Sequence, residues 1–408
     1  MINVGIDTDI LHSSLTGVGN YCFHTLSALL HDNSGDHSDH SSDLAFTAFS
    51  GLGWRSFSIS DLDRIAALHR KHSKSASIPA TSLQKARLAA RTHVANSDLT
   101  RRMLRRIATL PFRSFASKGR LDLYHAFKYL PIAEIDAPVL PVIYDLSFVR
   151  FPEAHPRYRL AALERLPSIA ARAPFVHTIS EFSRREIADV YGYPPERIIV
   201  APPAASDVFR PLGAAATQAA IARFDLALHR YFLAVGTLEP RKNLKTLISA
   251  YARLTWAERN AAPLVIVGSP GWGNLDLPKE TDALIADGSL RFLGAVTDDE
   301  LRGLYEGAVA LLYPSIYEGF GMPVVEALAC GTQVAHSAGT SMDEITAGLS
   351  TLRTHATNVD GWHTILQELG GAPERVSEDR DERIVQARHF SWDASAAKVK
   401  AVYRRIAA

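Results

Sequence analysis

The chain has 408 residues, of which 47% are hydrophobic and 21% charged, and its formal net charge is +1. This composition is typical of a globular protein long enough for two domains, and the balanced charge gives no indication of nucleic-acid binding. No apolar run reaches the roughly 18 residues that cross a bilayer, and the first residues lack the pattern of a signal peptide.

The cysteine content indicates the compartment. Cys22 and Cys330 are the two cysteines, and they lie far apart in the sequence. Such sparse usage is typical of a reducing environment without structural disulfides. We therefore expect a cytoplasmic protein, with peripheral contact to the cytoplasmic face of the inner membrane left open.

The amino-terminal half opens with a strand, a glycine loop and a helix. Ile2 to Asp7 reads as a buried strand, and Gly17 and Gly19 precede an apolar-periodic helix. Ligands of doubly wound α/β domains bind at the carboxyl ends of the strands, so this loop is a candidate binding site, although the same pattern also fits a tight turn. Cys22 stands where the dinucleotide fingerprint has its third glycine, which disfavours a nicotinamide dehydrogenase.

Two polar segments follow in this half. Residues 31–43 are rich in His and Asp, but nothing fixes a ligand geometry, so a solvated loop is favoured over a metal site and no metal is predicted. Residues 85–120 hold ten Lys or Arg and one acid. On a helix, four arginines lie opposite an apolar face: Arg101, Arg102, Arg105 and Arg106. This pattern fits either a helix at an anionic membrane surface or a helix packed on its own domain with a solvated basic face.

Strands and helices alternate through the rest of the chain. Predicted strands comprise residues 44–49, 121–125, 139–144, 175–179, 198–200, 231–235, 264–267, 290–293 and 309–313. Predicted helices comprise residues 156–172, a helix capped by Ser180 and ended by Gly192, and helices that begin at Asn243 and Asp298. The alternation predicts two α/β domains with parallel sheets, residues 1–212 and 213–390, facing each other across a cleft, and a terminal segment at 391–408.

Two stretches of the second half point to a ligand. In GTLEPRKN, Gly236 follows the first strand, and Arg241 and Lys242 stand at a helix start, where a guanidinium beside an ammonium suits a diphosphate. A solvated basic pair is the alternative, but the position at the carboxyl end of a strand favours a ligand.

The second stretch is YPSIYEGFGMPVVEALAC, residues 313–330. Glu318 lies in a loop with Gly319 and Gly321, and Pro323 marks the first turn of a helix that carries Glu326. The glycines allow close approach of the backbone to a ligand, and two acceptors can face one pocket, as a sugar beside a ribose requires. An isolated Glu-x7-Glu pair is more often a loop carboxylate and a surface charge.

Taken together, these motifs resemble a known family. TGVGNY, YDLSFVRFPEAHP, TISEFSRREI, GTLEPRKNL, FLGAVTDDELRGLYEGA and YPSIYEGFGMPVVEALACGT are similar to blocks of the retaining GT-B glycosyltransferases of family 4, especially bacterial mannosyltransferases. The resemblance implies two Rossmann-like domains, an amino-terminal one for the acceptor and a carboxy-terminal one for the nucleotide sugar. It also implies that residues 391–408 form a helix that returns to the first domain.

The resemblance also implies roles for individual residues. Arg241 and Lys242 would hold the donor diphosphate and stabilise the departing charge, Glu318 would lie beside the hexose, and Glu326 would accept from the ribose. The expected donor-side residues are Gly17, Gly19, Gly236, Arg241, Lys242, Glu318, Gly319, Phe320, Gly321, Met322, Pro323, Val324 and Glu326. No cofactor or metal is implied, because the cations take the place of a metal.

One departure concerns the acceptor side. Relatives have a His-Asp pair where this chain has Tyr144 and Asp145, and a tyrosine cannot carry a cationic proton near neutral pH. Tyr144 and Asp145 are nevertheless retained as candidate catalytic residues. His125, Tyr21 and Asp145 are the expected acceptor contacts, although a single histidine at a strand end is more often structural.

The expected function is transfer of a hexose, mannose from GDP-mannose, to a sugar hydroxyl of a growing, lipid-linked polysaccharide or oligosaccharide, with retention. UDP-glucose or dTDP-rhamnose are alternative donors. Another alternative is a degenerate member that binds a nucleotide sugar or a partner without transfer, and Tyr144 is its support. An epimerase or a phosphorylase of the same fold is a further alternative, and a phosphorylase with pyridoxal phosphate is disfavoured because no motif for its Schiff-base lysine is present.

Overall fold

The computed structural model describes residues 1–12, 17–32, 43–50, 53–75, 109–113, 115, 119–155, 157–371 and 378–408. Its strands are β1 Ile2–Asp7, β2 Leu44–Ser50, β3 Gly53–Phe57, β4 Leu123–Ala126, β5 Val139–Pro141, β6 Val176–Thr178, β7 Ile198–Val200, β8 Phe232–Val235, β9 Leu264–Val267, β10 Leu290–Gly294, β11 Ala310–Tyr313, β12 Val334–Ser337 and β13 Leu352–Thr354. Every strand predicted from the sequence is present, with ends that differ by up to three residues.

The α-helices surround these strands. They are α1 Gly17–Asp32, α2 Ile59–Ser75, α3 Ser147–Arg150, α4 Arg157–Leu163, α5 Leu166–Arg172, α6 Glu181–Tyr191, α7 Ala214–Ala222, α8 Leu244–Ala252, α9 Trp256–Ala261, α10 Thr281–Ala286, α11 Asp298–Gly307, α12 Met322–Ala329, α13 Met342–Ile345, α14 Val359–Gly371, α15 Arg380–Arg388 and α16 Trp392–Ala407. None of the helices in the described residues is both long enough and apolar enough to span a membrane.

The first sheet has the order β3-β2-β1-β4-β5. Its pairs are parallel except for the edge strand β3, which runs antiparallel to β2. The predicted strand 139–144 ends at Pro141, and Val142 instead bridges to His177 in the short parallel pair β6-β7. The alternating pattern therefore predicts the sheet correctly, while the antiparallel edge depends on a hairpin that the pattern did not reveal.

The second sheet has the order β10-β9-β8-β11-β12-β13 and is parallel throughout. Its strands are buried, as expected when helices cover both faces of a parallel sheet. The strand order reverses between β8 and β11, so the loops after these two strands meet at one point of the sheet edge. This switch point is where ligands of open α/β sheets bind.

Local signals place several helices as predicted. Ser180 caps α6 by accepting from the backbone N–H of Ser183 at 2.9 Å, and Gly192 ends the helix in the left-handed region. The predicted helix 156–172 is two helices, because Pro167 lies at the start of α5 and cannot continue a preceding helix. We propose a domain boundary between residues 212 and 213, where Gly213 is the N-cap of α7.

Helix α16 packs on the first half of the chain. The Ser395 hydroxyl donates to the carbonyl of Pro202 at 2.6 Å, and the Arg404 guanidinium binds Asp43 at 2.6 Å. The ring of Trp392 stacks on His24 with centroids 4.9 Å apart. After the second sheet the chain thus returns to the first half, and α16 joins the two halves in addition to the connection near residue 212.

Candidate functional site at the switch point

The loops after β8 and β11 form a buried cluster of charges. Arg241 and Lys242 belong to a single 3-10 turn, and Glu318 lies in the loop after β11. The Glu318 carboxylate binds Arg241 at 2.9 Å through one oxygen and Lys242 at 2.6 Å through the other. The other terminal nitrogen of the Arg241 guanidinium binds Glu239 at 2.6 Å. Two cations therefore face two carboxylates, and the four side chains together carry no net charge.

A tyrosine completes the cluster. The Lys242 ammonium donates to the Tyr313 hydroxyl at 2.7 Å, and that hydroxyl donates in turn to Glu318 at 3.1 Å. The Lys242 nitrogen also lies 5.0 Å from the centre of the Tyr313 ring, within the range of a cation–π contact. Tyr313 thus holds Lys242 from the strand below, so the ammonium is fixed at the sheet edge.

Burial and charge act together on the protonation states. Burial alone raises the pKa of Glu318, but Arg241 and Lys242 outweigh it and bring this pKa from 4.5 to about 2. Burial lowers the pKa of Lys242, and the Glu318 carboxylate offsets part of that effect. Burial also acts against the charge of Arg241, but Glu318 and Glu239 raise its pKa overall. Glu318 is therefore ionised and Arg241 cationic at neutral pH, and the Glu318 carboxylate favours the charged form of Lys242.

The glycine loop brings the two halves into contact. A Cβ at Gly319 would lie 2.4 Å from the carbonyl oxygen of Tyr144, so the backbones touch at a distance that a larger residue does not allow. Ser183 donates to this carbonyl at 3.0 Å, and the Ser341 hydroxyl bonds the carbonyl of Phe320 at 2.7 Å. The loop is therefore fixed from both sides.

Helix α12 starts where the sequence predicts. Gly321 is its N-cap with φ of 111°, Met322 is its first residue and Pro323 lies in its first turn, where no intrahelical N–H is needed. Val324 is fully buried and anchors the helix, while the ring of Phe320 packs against Phe390. The side chains of Phe320 and Val324 are buried in the core, so only the backbone of these two residues can contact a nucleotide sugar.

Glu326 lies one turn into α12. Its carboxylate accepts a hydrogen bond from the Tyr305 hydroxyl at 2.9 Å. Burial raises the pKa of Glu326 from 4.5 to about 7, and the bond from Tyr305 only partly counteracts this shift. Near neutral pH the group is thus poised between the neutral and the ionised form, unlike Glu318.

The predicted donor-side glycines outside the Glu318 loop lie in two different places. Gly17 and Gly19 belong to the first turn of α1, because the helix already begins at Gly17. Gly236, at the end of β8, has φ of 150° and lies against the Lys242 side chain. The structure therefore places Gly236 in the charge cluster and leaves Gly17 and Gly19 at a helix start.

Tyr144 and Asp145 lie at the boundary of the two halves. The Tyr144 hydroxyl donates to the carbonyl of Phe127 at 2.9 Å, so the side chain points into the first half and only its backbone meets Gly319. Asp145 is half-buried, accepts from the Ser147 hydroxyl at 2.7 Å and helps to raise the pKa of Arg241. Asp145, rather than the tyrosine hydroxyl, faces the charge cluster.

The expected acceptor contacts of His125 and Tyr21 are not supported, because both side chains are buried and hydrogen-bonded to the protein. His125 bonds the Tyr403 hydroxyl at 2.6 Å and His177 at 2.9 Å, and His177 bonds the Tyr21 hydroxyl at 2.7 Å. Tyr21 donates to the carbonyl of Ala201 at 2.6 Å. Because the Tyr21 hydroxyl donates to Ala201, it must accept from His177, and this sets the direction of every hydrogen bond in the series. Each neutral imidazole therefore donates to the partner nearer Tyr21 and accepts from the partner nearer Tyr403.

Two predicted features lie outside the described residues. The four arginines of the basic segment, Arg101, Arg102, Arg105 and Arg106, are among them, and so is most of the polar stretch 31–43. Within the part of the chain that the structure describes, no group of three or more His, Cys, Asp or Glu side chains could hold a metal ion.

The structure adds two residues that the sequence reasoning did not select. His155 and Trp272 line a cavity of about 490 Å³ together with Arg241. His155 belongs to the quoted block YDLSFVRFPEAHP, and Trp272 follows β9 in a glycine-rich loop. The signal for Trp272 was available in the sequence, since a tryptophan in a loop at the carboxyl end of a parallel strand is placed at the ligand-binding edge.

A family model and the fold define the class of this protein. Residues 227–369 match the model described as Glycosyl transferases group 1. The fold is that of sucrose-phosphate synthase from Thermosynechococcus elongatus, 16% identical with a TM-score of 0.66 over 100% of this chain and 99% of the other. It is also that of Anabaena HepE in complex with UDP-glucose, 15% identical with a TM-score of 0.67 over 98% and 100%. The chain therefore has the GT-B fold and contains a glycosyl transferases group 1 domain at residues 227–369, in agreement with the resemblance of its motifs.

Two curated proteins are similar to this chain in sequence. O-antigen chain mannosyltransferase B of Escherichia coli is 36% identical over 253 residues, which are 61% of this chain and 66% of that protein. D-inositol 3-phosphate glycosyltransferase of Thermobispora bispora is 29% identical over 270 residues, 64% of this chain and 61% of that protein. The chain thus spans two thirds or less of the length of these curated relatives.

Proposed function

We propose that this protein transfers a hexose from a nucleotide diphosphate sugar to a hydroxyl group of a glycan. The observation that carries the proposal is the pair of cations, Arg241 and Lys242, fixed at the switch point of the second sheet. Preorganised positive charge at the leaving group is the main requirement of this reaction, since its barrier lies in breaking the bond between the sugar and the phosphate.

The chemistry at the cluster is proposed as follows. An incoming diphosphate takes the place of the Glu318 carboxylate on at least one cation, and the freed carboxylate turns toward the hydroxyls of the hexose. As the glycosyl–phosphate bond breaks, Arg241 and Lys242 stabilise the negative charge that develops on the diphosphate. We propose that they do so without a metal ion, and that the cleft excludes water and thereby suppresses hydrolysis.

The donor we propose is GDP-mannose, with retention at the anomeric carbon. Support comes from the similarity to a protein named as an O-antigen chain mannosyltransferase, the most similar of the relatives described above. Ribose binding is assigned to Glu326, whose carboxylate is one turn from the glycine loop at the start of α12. The acceptor is proposed to be a growing polysaccharide or oligosaccharide linked to a lipid.

The site of action follows from the same proposal. A cytoplasmic location is supported by Cys22 and Cys330, which are both buried and unpaired. Contact with an anionic membrane is assigned to the basic segment at residues 85–120. Sedimentation with anionic vesicles should be lost when the four arginines are replaced by glutamate, and retention of binding in that variant contradicts the assignment.

The donor is tested with a thermal-shift panel of GDP-mannose, UDP-glucose and dTDP-rhamnose. A ligand that binds only the folded protein raises its melting temperature, so GDP-mannose should give the largest shift. A larger shift with another sugar nucleotide replaces the donor but keeps the class of reaction. The absence of any shift speaks against a nucleotide-sugar site.

Turnover tests the role of the cations. In an assay of GDP release, Arg241→Ala and Lys242→Ala should each lower kcat by about 10² or more, the size of losing one preorganised charge partner. Lys245→Ala is the matched control, because Lys245 is one turn further on and pairs with Asp276 at the surface. Near-normal turnover in both cluster variants refutes the leaving-group role, whereas binding without turnover in the unaltered protein supports a degenerate member.

A further inference from the structure

A tyrosine of the second half connects the charge cluster to the first half. Tyr317 directly precedes Glu318, and its backbone carbonyl accepts a hydrogen bond from the Arg241 guanidinium. Its side chain reaches the first half, where the hydroxyl accepts from the backbone N–H of Leu146 at 3.1 Å. Leu146 follows Asp145, the carboxylate that acts on Arg241 from the first half. One residue therefore holds a cation with its backbone and the opposite loop with its side chain.

The Tyr317 side chain is enclosed by the first half. It is 5% exposed, and its ring lies edge-on to Phe151 and Phe182, with centroids 5.7 and 5.3 Å away. The hydroxyl donates to the Glu186 carboxylate at 3.4 Å, and two bonds from Arg150 at 2.7 and 2.8 Å hold that carboxylate in place. Burial raises the pKa of Tyr317, so the hydroxyl keeps its proton. It therefore both accepts and donates, and both partners belong to the first half.

A carboxylate of the second half caps a helix of the first half. The first N–H groups of a helix have no partner within it, and the Ser180 hydroxyl satisfies that of Ser183 in α6. Glu344, in α13, accepts from the backbone N–H of Glu181 at 2.9 Å. Burial raises the pKa of Glu344, and the N–H groups of Glu181 and Phe182 act against this shift. The start of α6 is thus completed by a side chain that belongs to the second sheet.

The two contacts have the same consequence for the arrangement of the halves. Domains of one chain move relative to each other by default, unless a large apolar interface prevents it. A buried N–H that loses its acceptor is destabilised, so removal of either acceptor favours separation of the halves. Tyr317 lies in the loop after β11 and Glu344 in α13, but both bind backbone donors of the first half. Loss of one contact should therefore also open the other, if the halves move as rigid bodies.

We propose that Tyr317 and Glu344 are positioning residues that together hold the first half closed on the loop of Glu318, and thereby place Asp145 against Arg241. Neither side chain contacts the nucleotide sugar in this scheme. They act through the loop that carries Asp145 and through the start of α6. The expected effect on turnover rests on the proposed function, whereas the contacts between the halves are measured without any substrate.

Hydrogen exchange of the full chain, resolved to single amides by mass spectrometry, tests the proposal. Tyr317→Phe keeps the ring and removes the hydroxyl, and should raise the exchange rate of the Leu146 amide about tenfold, which corresponds to 1.4 kcal/mol. The Glu181 amide should exchange faster by a similar factor, because separation of the halves exposes both donors. Glu344→Ala should have the same effect on both amides. Glu344→Gln keeps an acceptor oxygen and should restore most of the protection.

A buried tyrosine within the first half provides the matched control. The Tyr193 hydroxyl donates to the carbonyl of Ala173 at 2.9 Å, so Tyr193→Phe loses a bond of the same kind that does not cross the halves. This variant should leave the Leu146 and Glu181 amides protected. Amides of the buried strand β8 report global unfolding, and their exchange should be unchanged in Tyr317→Phe.

Turnover separates positioning from donor binding. In the assay of GDP release, Tyr317→Phe and Glu344→Ala should each lower kcat by up to about tenfold with an unchanged KM for the donor, because the population of the closed arrangement falls by that factor. A raised KM with unchanged kcat overturns the proposal.

The exchange data can also overturn the proposal by themselves. Faster exchange of the Leu146 amide alone in Tyr317→Phe assigns the hydroxyl a local role, and unchanged exchange of both amides in Glu344→Ala removes the second contact. Failure of the proposed function has a different signature. The unaltered protein then releases no GDP, while the two amides still respond together in both variants.

Discussion

Replacement of Glu318 by glutamine removes one charge from the buried cluster and little else. Glutamine has the shape of a protonated glutamate, so Glu318→Gln leaves Arg241 and Lys242 buried with only Glu239 to balance them. Breaking a buried ion pair from one side is destabilising, because the remaining charge loses its partner in a medium that solvates it poorly. We expect the variant to be less stable without ligand and to respond more strongly to a diphosphate.

The size of the effect follows from the pKa of Glu318. The cations bring it from 4.5 to about 2, and one pKa unit corresponds to 1.36 kcal/mol, so the ionised carboxylate contributes about 3 kcal/mol. The folded-state pKa is below the unfolded one, and this contribution is therefore complete above about pH 4.5 and is lost as the pH falls toward 2. The unaltered protein and Glu318→Gln should differ by about 3 kcal/mol at neutral pH and converge in acid.

Urea unfolding at neutral pH, with and without GDP, is the assay. Saturating GDP should restore most of the lost stability in Glu318→Gln, because a diphosphate supplies the missing negative charge. Glu306→Gln is the control: Glu306 is equally buried and binds Arg380, but it lies away from the switch point. That variant should lose stability without a larger response to GDP. Equal stability of Glu318→Gln and the unaltered protein, or an equal GDP response in both, would falsify the idea that this carboxylate occupies the phosphate position.

Three further predictions address other parts of the site. Burial raises the pKa of Glu326 to about 7, so if the ionised form binds the ribose, the dissociation constant of GDP-mannose should fall about tenfold between about pH 6 and pH 8. Glu326→Gln should abolish this dependence. A pH-dependence that persists in the variant belongs to another group. Tyr403→Phe leaves a buried nitrogen of His125 without its donor and should lower the free energy of unfolding in urea by about 1–3 kcal/mol, whereas an unchanged midpoint means that the bond is unimportant. Gly319→Ala places a methyl group against the carbonyl oxygen of Tyr144, so it should lower the free energy of unfolding in urea by about 1–3 kcal/mol and reduce turnover. Full activity of this variant shows that the two loops separate freely.

Local patterns were sufficient for the strands and helices that were predicted and for the charged loop residues. Apolar runs, the Ser180 cap and Pro323 depend on neighbours within a few residues, and the described helices and strands follow them. Arg241, Lys242 and Glu318 could be selected because they follow strands of a parallel sheet, and the carboxyl ends of such strands form the binding edge. The short strands β3, β12 and β13 were not predicted; β12 ends in His336 and Ser337, which weaken an apolar pattern.

Contacts between distant residues were decided only by the tertiary structure. His125 meets Tyr403 across 278 positions of the chain, and that bond turns an expected acceptor contact into a buried structural one. The partners of Glu318 and the bond from Trp272 to Ala154 likewise join different loops, so no local pattern contains them. The sequence by itself determined which loops carry the charged cluster, because strand ends and glycines are local signals. Which side chains face one another there was determined by folding, because packing brings together groups whose separation along the chain carries no information about their distance in space.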